Sequence, residues 1–362
     1  MNNRKHNFSA GPCTLPLETL QQAQEEFIDY HGAGMSLIEM SHRGGHFEEI
    51  AKQTRELALE IFQAPKEFSA LFLQGGATLQ FAMVPMNLLH GGARGAYVNS
   101  GAWAKGALAD AGMHGEVYAA WDGAGEKYTR MPADDEIQIR DNTRYLHITS
   151  NETIGGIRFP EWPNAPVPLV GDMSSDYMSR EVDWKKFDLI YGGAQKNLGP
   201  AGMTVVFVRK SILENCSQNI GRYLRYDIHE ANGSMFNTPP VFAIYMFHLV
   251  LRWMKSQGGL AAMQRNAAEK SETLYAAIDQ SGGYYNCPVA RECRSQMNVV
   301  FRLPSEALEK KFLAESEAAG LMHLKGHRSV GGCRASIYNA MPLAGVSALT
   351  GFMAEFQHNN PA

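Results

Sequence analysis

Through the first half of the chain, β-type apolar runs alternate with stretches of helical periodicity. The strand-like runs are Ala70–Leu73, Arg94–Val98, Glu116–Ala119, Arg144–Thr149 and Pro166–Val170, with two more inside Phe187–Val208. Helical periodicity covers Pro16–Tyr30, Phe47–Phe62, Leu79–Leu89 and Ala104–Ala111. Such alternation restricts the chain to few folds, chiefly an α/β sheet dominated by parallel strands. Ligands of such sheets collect beyond the carboxyl ends of the strands. Gly75, Trp103, Thr153, Asp172 and Lys196 all fall at or just after such ends. This coincidence argues for a site more strongly than any one of those residues.

Lys196 lies in a turn between two apolar runs, among Gly192, Gly193, Ala194, Gln195, Asn197 and Gly199. Glycine lets the backbone take unusual angles and lets a ligand approach closely. A lysine in a tight, desolvated place has a lowered pKa and can act as a nucleophilic amine, as a Schiff base with pyridoxal phosphate (PLP) requires. The same turn is also compatible with a plain hairpin carrying a surface lysine. Asp172 stands 24 residues earlier, where it can hold a pyridine nitrogen protonated or simply cap the following segment. Gln74-Gly75-Gly76-Ala77-Thr78 joins a strand to a helix, a geometry that offers backbone N–H groups to a phosphate, although a tight turn reads the same way. It matches neither GxGxxG nor GxxxxGK[ST], which disfavours dinucleotides and nucleoside triphosphates. Trp103 can stack on a flat ring or fill the core. Thr153 is a further polar candidate. Asn237 and Thr238 precede the apolar helix Val241–Ser256, where they suit a phosphate or an N-terminal cap.

Basic side chains set in glycine occur twice, at His42-Arg43-Gly44-Gly45 and Lys325-Gly326-His327-Arg328, and Arg334 opens a later strand. Arginine clamps carboxylates and phosphates with two parallel hydrogen bonds, so these loops suit a substrate with several negative charges. Gly258-Gly259 marks a boundary, beyond which a helix over 260–280, a strand over 297–303, a helix over 305–319, a strand near Leu321, a strand over 334–338 and a helix over 343–357 make a second, α+β unit.

Length and composition set bounds. The 362 residues suit two domains, and 45% hydrophobic with 19% charged residues is a globular balance. A net charge of −4 leaves no footprint for nucleic acid. Five scattered cysteines without a CxxC pair disfavour a disulfide framework and a zinc site, so no metal is expected and a reducing compartment fits. The polar start, Met1 to Asn7, has no apolar core of a signal peptide, and the run Val241–Val250 is too short to span a bilayer.

Ser41-His42-Arg43-Gly44, the lysine loop Gly192–Gly202, Asn232–Pro240, Lys325–Arg328 and Arg334–Ala340 together resemble the phosphoserine aminotransferase family. The resemblance runs from Phe8 almost to the C-terminus. It implies a fold-type I PLP enzyme of the class V aminotransferases, with a mainly parallel seven-stranded sheet between helices and a smaller α+β C-terminal domain. The implied division is an N-terminal arm over residues 1–15 that joins the small domain, a large PLP-binding domain over 16–257 and a small domain over 258–362. It also implies a cytoplasmic homodimer with active sites at the subunit interface.

On this resemblance, Lys196 carries the cofactor covalently and shuttles the proton, while Asp172 pairs with the pyridinium nitrogen. Trp103 stacks on the ring and Thr153 meets its polar edge. Ala77, Thr78 and Gln195 bind the cofactor phosphate, with Asn237 and Thr238 joining from the other subunit. Arg43 and Arg334 bind substrate carboxylates; His42, His327 and Arg328 hold the substrate phosphate, the latter two across the interface. Ala77-Thr78-Leu79 departs from relatives that carry an arginine in this turn, so backbone N–H groups and the Thr78 hydroxyl are expected to take its place. The implied reaction is reversible transamination between O-phospho-L-serine and 2-oxoglutarate, giving 3-phosphohydroxypyruvate and L-glutamate, in serine biosynthesis. 4-Phosphohydroxy-L-threonine, of pyridoxine biosynthesis, is left open as a second substrate. The alternatives are another fold-type I activity, such as alanine–glyoxylate transamination or cysteine desulfuration, and a non-catalytic protein that binds a phosphorylated ligand.

Overall fold

Seven strands form one sheet in the structure, a computed structural model that describes residues 4–361. In chain order they are β1 (Phe68–Leu73), β2 (Arg94–Asn99), β3 (Glu116–Asp122), β4 (Thr143–Thr149), β5 (Leu169–Asp172), β6 (Phe187–Gly193) and β7 (Thr204–Arg209). In space the order is β1-β7-β6-β5-β4-β2-β3. The pairs β6·β5, β5·β4, β4·β2 and β2·β3 are parallel, while β7 runs antiparallel to both β6 and β1. Only β7 is therefore reversed, and the mainly parallel sheet expected from the alternation is borne out. The carboxyl ends of the other six strands lie along one edge.

The central strands are apolar at successive positions because both faces of the sheet are covered. Ala70, Phe72, Ile148, Val205 and Phe207 face one core, which helices Gly45–Ile61 and Val241–Ser256 close. Leu71, Leu73, Tyr145, Val206 and Val208 face the other, beneath helices Gly76–Leu88 and Ala102–Ala111. In the first cover helix, Phe47, Ile50, Ala51, Thr54, Ala58 and Ile61 are buried at helical spacing, so one stripe faces the sheet. A third apolar cluster holds Leu274, Ile278, Phe312, Val346, Leu349 and Phe356 from the C-terminal helices, together with Phe8. The two-residue strand His6–Asn7 pairs in parallel with Leu321–Met322, and Asn298–Phe301 pairs antiparallel with Cys333–Ser336. Residues 1–3 and 362, where the expected arm and small domain begin and end, lie outside the described residues.

Several boundaries differ from expectation for local reasons. The first helix spans Leu17–Glu25 and not Pro16–Tyr30, since Asp29 turns to extended backbone and its Oδ1 accepts from the Gly34 N–H at 2.7 Å. A side chain that satisfies a backbone donor this way competes with the helix. The expected strand over 166–170 is instead Leu169–Asp172: Pro166 and Pro168 cannot donate to a ladder, so pairing begins after them. The helix expected from Leu79 begins at Gly76, because Gly75 at φ +92° turns the chain immediately after β1. The strands over 297–303 and 334–338 shorten to Asn298–Phe301 and Cys333–Ser336.

Candidate functional site

Lys196 sits in a helical turn just after β6, closed by Leu198 N–H and Gly199 N–H donating to Ala194 O at 3.1 and 2.8 Å. The flanking strands do form an antiparallel pair, but the lysine is no surface residue: it is 8% exposed. Its Nζ donates to Thr153 Oγ1 at 2.7 Å and lies 5.5 Å from the centre of the Trp103 ring. Burial pushes its pKa down, against the pull of Asp172 and Glu152 toward the charged form. An amine that must shed its proton before it attacks is helped by this balance. Gly192 leaves room that a Cβ would take from the Tyr177 ring, and Gly193 does the same for the Gln195 amide.

Asp172 ends β5, flanked by Thr149 of β4 and Tyr191 of β6. Its Oδ1 accepts from Ser174 N–H at 2.9 Å and Ser174 Oγ–H at 2.6 Å. Among the described residues, neither bond falls on Oδ2. Burial raises the pKa of this carboxyl, opposed by the Ser174 bonds and by Lys196. Trp103 is the second residue of helix Ala102–Ala111, half-buried, with Nε1 buried and unpartnered among the described residues. Arg334 donates from Nη1 to Thr153 O at 3.2 Å, so Thr153 is bound to the lysine through its hydroxyl and to the arginine through its carbonyl.

At the end of β1, Gly75 and Gly76 both have positive φ, and a Cβ on Gly75 would lie 2.5 Å from Leu79 Cδ2. Ala77 and Thr78 thus occupy the first helical turn, where backbone N–H groups lack helical partners and face outward. Gln74 Nε2 donates to Thr238 O at 3.0 Å, which brings the Asn237–Thr238 loop of the same chain beside this turn.

The basic loops are placed differently. A cavity of about 540 Å³ is lined by Glu152, Arg334, Ser100 and Gly101, and by Gly326, Ser329 and Val330 around His327 and Arg328. His327 Nδ1 bonds to Ser329 Oγ at 2.7 Å, and Arg328 is exposed. The His42–Arg43 loop instead borders a separate cavity of about 330 Å³ with Met35, Glu39 and Met40. Among the described residues, no hydrogen bond or ion pair joins His42 or Arg43 to Lys196 within one chain. Lys105 and Lys127, which sequence reasoning passed over, also line the larger cavity. Lys127 and Tyr128 both have positive φ, at 54° and 57°, an uncommon backbone for side chains of their size. Glu152 was passed over too: its position between Asn151 and Thr153 looks like part of a polar turn. It is fully buried, and its pKa is pushed up to about 7 by burial.

The "Aminotransferase class-V" family model matches residues 5–349. A phosphoserine aminotransferase of Laribacter hongkongensis is 51% identical over 97% of this chain and 98% of its own length. One of Bacillus subtilis is 47% identical over 99% of each. Among solved structures, phosphoserine aminotransferase from Bacillus circulans subsp. alkalophilus superposes with a TM-score of 0.97 at 48% identity over 99% of both chains. PLP-bound phosphoserine aminotransferase from Trichomonas vaginalis gives 0.93 at 38% identity, covering 97% of this chain and 100% of its own. With the sheet order, the buried lysine and full-length similarity in agreement, this chain belongs to the class-V aminotransferase family.

Proposed function

We propose that this chain is a PLP-dependent transaminase acting between O-phospho-L-serine and 2-oxoglutarate, in serine biosynthesis. The observation that carries this reading is the buried Lys196 amine, held by Thr153 and facing Asp172 and Trp103, in a chain alike over its full length to phosphoserine aminotransferases. The residues present fit PLP. Asp172 Oδ2 is free of protein partners among the described residues. Among the described residues, Ser100 Oγ, Trp103 Nε1 and Thr149 Oγ1 are buried polar atoms without partners, gathered at the same edge of the sheet. The N-terminus of helix Gly76–Leu88 offers N–H groups and a positive dipole end to a phosphate.

When bound, PLP supplies a carbonyl carbon for amines and a ring that accepts the electron pair left at the substrate Cα. Lys196 would hold the cofactor through its Nζ, and the same amine, when free, would take and return the proton at the substrate Cα. Thr153 orients that amine. Asp172, raised toward its neutral form by burial, would serve as the ionised partner of a ring N–H cation. Trp103 would cover the ring, while Ala77, Thr78 and Gln195 would bind the cofactor phosphate. Arg334 takes the substrate carboxylate.

We further propose a cytoplasmic homodimer whose partner brings Asn237, Thr238, His327 and Arg328 to the site, with His42 and Arg43 completing the anion-binding set. The His42–Arg43 loop borders a cavity of its own, and this supports a site that a second chain completes, as do the exposed apolar side chains Phe27, Ile28, Met35 and Ile38. No helix among the described residues is long and apolar enough to cross a membrane. The division into an arm over 1–15, a large domain over 16–257 and a small one over 258–362 is supported by the separate apolar clusters and by the pairing of His6–Asn7 with Leu321–Met322.

The test is the visible spectrum of the purified protein with PLP, before and after L-phosphoserine is added without a keto acid. The cofactor band is expected to shift. A band that phosphoserine leaves unmoved refutes the substrate. No band after incubation with PLP refutes the enzyme.

A further inference from the structure

Just beyond β4, Asn151–Glu152 pairs antiparallel with Ile157–Arg158. This small hairpin places the Glu152 side chain at the start of helix Ala102–Ala111. There its Oε2 accepts from Trp103 N–H at 3.1 Å and its Oε1 from Ala104 N–H at 2.8 Å. The helix has no side-chain cap of its own, since the residue before it is Gly101. A Cβ at Gly101 would stand 2.5 Å from Glu152 Cδ, so the missing local cap is also what admits the remote carboxylate. The adjacent Thr153 binds Lys196 Nζ through its hydroxyl and Arg334 through its carbonyl. One dipeptide thereby holds three site residues that come from distant parts of the chain.

We propose that Glu152 is a positioning residue: its buried carboxylate, bridging the first N–H groups of helix Ala102–Ala111, sets the Trp103 ring against Lys196 and so sets the plane available to an aromatic cofactor. The proposal rests on the reading of Trp103 as the ring that covers PLP. A structural cap would need neither full burial nor a place beside Asp172 and Lys196, and exposed Asp or Ser residues cap helices well enough. Burial in this place raises the Glu152 pKa to about 7, with Asp172 adding to the rise and the two N–H groups and Lys196 opposing it. The other charged groups that line the cavity are Lys105, Lys127, Arg302 and Arg334, with the titratable Tyr128 and Cys333 beside them. A protonated Glu152 can accept fully from only one of its two N–H partners, and Glu152→Gln is the permanent form of that state.

The experiment uses the full chain and compares wild type, Glu152→Gln and Gly101→Ala, each with and without Trp103→Phe. The difference within each pair isolates the Trp103 contribution to the near-ultraviolet circular dichroism of the apoprotein, and PLP affinity is measured alongside. In Glu152→Gln the Trp103 contribution is expected to fall by at least about half and PLP to bind about tenfold more weakly, the loss of one buried hydrogen bond. Its apoprotein melting temperature is expected to hold, because the uncomfortable buried charge is removed together with the bond. Gly101→Ala, which displaces the carboxylate without altering it, is expected to reproduce both losses, and its double variant with Glu152→Gln to add little to either. An unchanged Trp103 signal in both variants overturns the proposal, as does a PLP affinity that falls only in step with melting temperature. The apoprotein signal reads Glu152 even if wild type fails to take PLP, an outcome that would refute the functional reading separately.

Discussion

Lys196 stands where its ordinary charge is least welcome, and its neighbours decide what replaces that charge. Burial lowers its pKa, Asp172 and Glu152 raise it again, and Thr153 accepts a hydrogen bond from Nζ at 2.7 Å. Such an amine can be a nucleophile and then a proton carrier. Lys196→Ala is therefore expected to cut turnover about 10³-fold or more, the scale of losing a positioned acid–base group. Far-ultraviolet circular dichroism should be unchanged, and borohydride should no longer fix a pyridoxyl group on the chain. Normal turnover in this variant would refute the role. The lysine, Asp172 and Trp103 could be picked out of the sequence because each follows an apolar run that had to be a strand. Glu152 could not. Its partners, Trp103 and Ala104, lie 49 and 48 residues away, and only the parallel register of β4 beside β2 brings the two strand ends together.

Elements were legible where burial follows one simple period. Helix Val241–Ser256 was read to the residue, because Pro239 and Pro240 open it and apolar residues fill it. The first helix and β5 were misjudged where a single side chain or a proline took over the backbone, at Asp29 and at Pro166–Pro168. Helix Gly259–Asp279 shows a further feature that periodicity hides. Lys270 on its buried face donates from Nζ to Tyr338 O at 2.6 Å and Met341 O at 3.0 Å, tying the helix to the segment after Cys333–Ser336. Burial lowers its pKa to about 7 from 10.5, with the Cys13 thiol opposing. Between those two values the unfolded chain binds a proton that the folded chain refuses, so this group's contribution to stability rises with pH across the window and is lost as pH falls toward 7. Lys270→Met is expected to remove that slope. Compared by urea unfolding at about pH 7.5 and about pH 9.5, wild type should gain about 2 kcal/mol more than the variant on going to the higher pH. The variant should also be weaker at high pH by about 1–3 kcal/mol, the effect of leaving buried carbonyls unpaired. Equal slopes would show that Lys270 stays charged in the fold.

At the scale of the molecule, the distribution of charge and apolar surface bears on the proposed homodimer. Lys196, Thr153, Asp172, Trp103 and Arg334 converge within a chain, yet His42 and Arg43 lie by another cavity with Met35 and Glu39. A substrate with a phosphate and a carboxylate needs several cations, and the His42–Arg43 pair borders a cavity apart from the one that Arg334, Lys105 and Lys127 line. Between helix Leu17–Glu25 and the His42 loop in sequence, Phe27 packs edge-on against Phe242 at 5.9 Å, and Ile28 is 81% exposed. A monomer gains nothing from presenting that surface to water, whereas a twofold partner would bury it and bring its own loops to the site. Ile28→Asp combined with Ile38→Asp places two charges on this face without touching the buried core. Wild type is expected to sediment at twice the 40.0 kDa of one chain, and the double variant to shift toward the monomer at micromolar concentration. The variant should keep its far-ultraviolet dichroism while losing most of its transaminase activity, and activity should return as protein concentration is raised. A wild-type monomer with full activity would sink the shared-site reading, and so would a monomeric variant that turns over normally.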